Sequence, residues 1–85
     1  MANKLTDARR VEIDDIRAIM GAESGRRLMS RMMVNAGVFR CSYNGQSNQT
    51  VFNEGRRSVG LFIHEELREC CPALYMKMLE ENTHD

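Results

Sequence analysis

The chain has a single proline, Pro72, and its apolar residues recur at spacings of three and four almost from end to end. Because 3.6 residues complete a helical turn, that rhythm is the mark of amphipathic helices rather than strands. Gly21, Gly37 and the Cys71-Pro72 pair cut it into lengths. The pattern predicts an all-α fold, a compact bundle of about four helices.

The first helix is expected from about Thr6 to Met20. Thr6 or Asp7 can cap it by accepting a backbone N–H. Ile13, Ile16 and Met20 share one face, Ile19 widens it, and Gly21 is placed to end the helix in the left-handed conformation. A second helix runs from about Glu23 to Ala36. Leu28, Met29, Met32, Met33 and Ala36 form its buried stripe, with Arg26, Arg27, Ser30 and Arg31 flanking it or facing away. Gly37 stops this helix, and Val38 suits the hydrophobic contact of a Schellman cap.

Residues 38–48 break the helical pattern. Asn44-Gly45 is a turn signal for a small hairpin, but Gln46 to Gln49 is too polar for a good return strand. An ordered loop anchored on the core by Phe39 and Tyr43 is preferred. The third helix spans about Gln49 to Cys70, capped by Ser47 or Asn48. Phe52, Gly55, Val59, Ile63 or Phe62, Leu67 and Cys70 trace its expected buried side, packed antiparallel to the second helix. Gly55 and Gly60 each cost about 1 kcal/mol against alanine inside a helix, which points to close approach of another backbone or to a bend. Pro72 suits the first position of a fourth helix, whose stripe is Leu74, Tyr75, Met78 and Leu79; Asn82 to Asp85 should fray.

At 85 residues the chain is expected to form one small helical domain over 1–85, with its ordered core at about 6–81. A single core of that size supplies only about 3–5 kcal/mol, so association with other copies or a host assembly is expected. Twelve basic residues balance twelve acidic ones. A general nucleic-acid coat usually carries a basic excess, so nucleic acid is not the expected partner. The charges are uneven along the chain, with three in positive excess over 1–40 and three in negative excess over 41–85. The two halves can pair within one molecule or head to tail between copies.

Cys41, Cys70 and Cys71 are odd in number, and two are adjacent. No apolar leader precedes them, so free thiols in a reducing cytosol are expected rather than a disulfide framework. The spacing of these cysteines with His64 and His84 does not match a zinc knuckle, and no metal or cofactor is expected. Cys70 and Cys71 follow His64 by nearly two helical turns, about 9–10 Å along the axis, too far for a nucleophile–base bond. No phosphate loop, nucleophile elbow or dinucleotide fingerprint is present. The expectation is no enzyme and no catalytic residue.

Ten of the twelve basic residues are arginine. Arg26, Arg27, Arg40, Arg56 and Arg57 are the candidate partner-binding group, since an arginine fork suits bidentate carboxylate or phosphate contacts. The plainer reading is a solvated face with pairs inside one helix. Met76, off the main stripe of the fourth helix, is the candidate for an exposed contact.

Four stretches together carry a resemblance. They are Gly25-Arg26-Arg27-Leu28; Ala36-Gly37-Val38-Phe39-Arg40 with Ser42-Tyr43-Asn44-Gly45-Gln46-Ser47; Phe52 to Leu61, reading FNEGRRSVGL; and Cys71-Pro72-Ala73-Leu74-Tyr75. This combination resembles a family of small tailed-bacteriophage proteins of the podovirus type, first named from a Bordetella phage gene. The likeness covers roughly residues 15–79. It departs at Ala22, where relatives carry a capping threonine followed by proline. The resemblance implies a phage or prophage source and brings no catalytic residues. It implies a virion or assembly accessory working through protein contacts, in the host cytoplasm or incorporated in the virion. The expected partner is a phage structural protein, a host protein or a second copy, and no membrane is expected. The rival reading is an infection-stage binder that inhibits a host enzyme or defence complex, and a third is a regulator associated with nucleic acid.

Overall fold

A computed structural model describes residues 6–39 and 47–82. It contains four helices, α1 (Asp7–Met20), α2 (Glu23–Ala36), α3 (Ser47–Cys70) and α4 (Pro72–Glu81), and no strand among the described residues. Each helix touches the other three, so all four enclose a common core.

The helix ends follow local chemistry. Thr6 caps α1, its Oγ1 accepting the Arg9 backbone N–H at 3.1 Å. Gly37 ends α2 in the left-handed region (φ 78°). The Gly37 N–H then bonds the Val34 carbonyl and the Val38 N–H bonds the Met33 carbonyl, which is the expected Schellman pattern. Pro72 opens α4 directly after Cys71, whose backbone (φ −154°, ψ 63°) is non-helical.

Gly21 departs from expectation. It stays right-handed (φ −72°, ψ −18°), and its N–H bonds the Arg17 carbonyl at 2.8 Å as in a continuing helix. The chain turns at Ala22 instead, which is extended and has no side-chain acceptor to cap α2. With only two residues between helices, a turn at Ala22 brings the end of α1 hard against the start of α2. A Cβ on Gly25 would overlap the Ile19 carbonyl.

Helices α2 and α3 are antiparallel, as expected. Asn35 lies by Arg56, and Met32 lies by Val59 and Ile63. Gly60 is the point of close approach, where an added Cβ would lie 2.8 Å from the Ala36 Cβ and overlap Val38. Gly55 is different, since among the described residues nothing lies within 4 Å of where its Cβ would be.

The core consists of Met20, Met33, Leu67, Cys71, Tyr75 and Met78, with Ile16, Met29, Val38, Ile63 and Leu74 packed around it. Cys70 is also buried, and both it and Cys71 are free thiols. The expected stripes need correction. On α2, Leu28 and Met32 are exposed, while Arg26 and Ser30 are buried beside Met33. On α3, Phe52, Gly55, Val59 and Phe62 face out, and the inward line is Gly60, Ile63 and Leu67. Gly60 faces Ala36, so Gly55 and Phe62, about 140–160° from it around α3, lie on the outer side, and Val59, about 100° away, stands at the edge. Leu79 lies at the exposed edge of α4, and Phe39 is exposed rather than an anchor. The expected Tyr43 anchor, the hairpin at Asn44-Gly45, Cys41 and Arg40 lie outside the described residues.

Candidate functional site

Two parts of the molecule concentrate chemistry. The first is the junction of α1, α2 and α4. Arg26 is 5% exposed. Its Nε and Nη2 donate to the two carboxylate oxygens of Glu81 at 2.7 and 2.9 Å, and its Nη1 donates to the Met20 carbonyl at 3.0 Å. That carbonyl is one of the acceptors a helix end leaves without an intrahelical partner. A second arginine acts alike, Arg17 Nε donating to the Cys70 carbonyl at the end of α3 at 2.9 Å. Arg9 clamps Glu66 at 2.8 and 3.0 Å. These forks hold the Glu81 and Glu66 carboxyls below the ordinary value of 4.5. The basic front half and acidic back half therefore do pair within one chain, at least at these two contacts.

The remaining titratable groups near the core are also engaged. His64 Nδ1 lies 2.7 Å from the Tyr75 hydroxyl. Burial raises the Tyr75 phenol and the Cys71 thiol above their ordinary values, which keeps both protonated at neutral pH. Among the described residues no three His, Cys, Asp or Glu lie close enough to hold a metal ion, and no helix is long and apolar enough to cross a membrane.

The second part is a face along the α2–α3 seam. Two hollows lie on it, sharing Ile63. One, of about 160 Å³, is lined by Ile16, Ile19, Met29 and Phe62 among others. The other, of about 300 Å³, lies between Met32, Asn35 and Ala36 on one side and Arg56 and Val59 on the other. The smaller is below the range of a small-molecule site and the larger only at its lower edge. Phe52, Val59 and Phe62 stand beside them, 58–66% exposed.

The candidate arginines do not form one group. Arg26 is buried in its ion pair. Arg56 is on the rim of the α2–α3 face, where it donates to the Asn35 carbonyl and lies over the Phe52 ring, 5.6 Å from its centroid. Arg57, the next residue, points about 100° away around the helix, half-buried, with an Nε–H that has no hydrogen-bond partner among the described residues. Arg27 is exposed on α2, and Met76 is exposed on α4. Sequence reasoning missed the apolar face because it assigned these same residues to the core. A signal was present: Gly55 and Phe62 lie nearly opposite Gly60 around α3, so they cannot share an inward face with it.

A family model described as Bbp19-like phage protein matches residues 16–80. The chain belongs to the Bbp19-like phage protein family. The match spans the whole α2–α3 face and Arg26, and it ends one residue before Glu81. No curated protein and no solved structure matches the chain.

Proposed function

We propose that this phage protein is a non-enzymatic accessory of virion assembly that works by protein–protein contact through its α2–α3 face. The observation that carries the reading is an inversion of burial. Among the described residues, eleven large apolar side chains are exposed and seven hydrophobic residues are buried. Scattered apolar residues are normal on a surface, but a contiguous patch beside shaped hollows marks an interaction site. Arg9, Glu66, Arg26 and Glu81, by contrast, are spent on structural pairs, which supports a binding role over catalysis.

The test is a phage carrying Val59→Asp. Val59 is 63% exposed, so the fold should tolerate the change while the face should not. Particle yield should fall sharply, and mass spectrometry should find the wild-type protein at fixed stoichiometry in purified virions. Normal yield from the variant would overturn the reading. Lost yield with the wild-type protein absent from virions would turn it to an infection-stage binder.

A further inference from the structure

Building on the reading of the α2–α3 face as a contact surface, we infer that its occupant is a second copy of the same chain, with α3 crossing α3 of the other copy at Gly55.

The first argument is area. Ile19, Met32, Phe52, Val59 and Phe62 are each 45–66% exposed. Together they present on the order of 600 Å² of apolar surface, at the upper end for the largest patch of a monomer and near the ~800 Å² each partner gives to a standard interface. The residues are continuous. Ile19 and Phe62 border the first hollow, Ile63 joins it to the second, Val59 and Arg56 border that one, and Arg56 lies over Phe52.

The second argument is Gly55. A glycine inside a helix costs about 1 kcal/mol against alanine, and a fold keeps one where space demands it. Gly25 and Gly60 meet that demand within the monomer, against Ile19 and against Ala36 and Val38. Among the described residues nothing lies within 4 Å of a Cβ at Gly55, yet Gly55 sits on the exposed side of α3 between Phe52 and Val59. A second helix crossing there supplies the missing close approach.

The third argument is self-complementarity. A two-fold interface uses the same patch on both copies, so the patch must carry both protrusions and hollows. This one does, with Phe52 and Phe62 projecting next to the hollows at Ile19 and Met32. The formal net charge is zero, so two copies meet without net repulsion. The small core gives the pairing a thermodynamic role as well, since among the described residues Met20, Met33, Leu67 and Met78 are the large side chains buried completely.

Light scattering and sedimentation on the purified full-length chain test this directly. At tens of micromolar the wild-type mass should be twice the 9.8 kDa of one chain. Gly55→Leu and Val59→Asp should each weaken association by at least about 30-fold, the scale of a hot spot. Their far-UV helical signal should be unchanged, because neither position is packed in the monomer. A wild-type monomer overturns the inference, as does a dimer that survives both substitutions. Phage yield separates the two proposals. A monomeric protein whose Val59→Asp variant still abolishes yield loses the second copy but keeps the contact face. A monomer whose variant phage grows normally loses both.

Discussion

The Arg26 junction and the α2–α3 face invert the usual rule for what goes inside. At the junction an arginine and a serine are buried, and the arginine meets a carboxylate and a helix-end carbonyl. On the face, two phenylalanines and a valine stand in solvent. A buried charge persists only when its hydrogen bonds are made, and breaking such a pair leaves an uncompensated charge inside. An exposed apolar patch costs the monomer little and becomes favourable when something covers it. The junction therefore serves the fold of one chain, while the face is the surface we propose for contact beyond it. Substitutions should separate the two cleanly.

The largest effect is expected at the junction. Arg26→Leu strands both Glu81 and the Met20 carbonyl, and thermal unfolding should show a greater drop in Tm than any substitution on the face. Leu67→Ala, in the core beneath both regions, should cost about 2–4 kcal/mol by denaturant unfolding. Leu67 is 1% exposed, so a loss under about 0.5 kcal/mol would contradict that placement.

The junction should also respond to acid. Glu81 is held below its ordinary 4.5 by Arg26, and Glu66 by Arg9. A lowered carboxyl value contributes stability that is complete above the unfolded value and is lost as pH falls through the folded one. Tm should therefore decline as pH drops below about 4.5, and Glu81→Gln should flatten part of that decline. Raising the pH from 5 to 8 should change neither pair.

Smaller effects sharpen the comparison from the other side. Gly55→Ala should stabilise an isolated monomer by about 1 kcal/mol through helix propensity while weakening self-association. A gain in stability with association intact would mean the glycine is incidental. Ala22→Ser should add about 1 kcal/mol by supplying the missing cap to α2, since Ala22 already has extended backbone. Smallest of all, Phe62→Glu should move monomer stability by no more than about 0.5 kcal/mol, because an exposed position away from packed features seldom matters more.

Much of the local structure was legible in the chain. Thr6 acts by its hydroxyl acceptor, Gly37 by its freedom at positive φ and Pro72 by its fixed φ, so three boundaries and the all-α class followed from residue type. Gly21 misled because a short link offers two places to turn. Ala22 took the turn, and with that choice Gly25 had to be small.

Which way each helix faces was a different matter. Amphipathic spacing on α2 and α3 offers more than one apolar stripe, and propensity gives no preference between them. Leu28, Met32, Phe52 and Val59 form as good a stripe as Met29, Met33, Ile63 and Leu67. Local sequence thus determined where the helices are, because capping and backbone sterics act within a few residues. Tertiary contact decided what they bury. The fit of Gly60 against Ala36, and the reach of Arg26 across 55 positions to Glu81, exist only once distant segments meet.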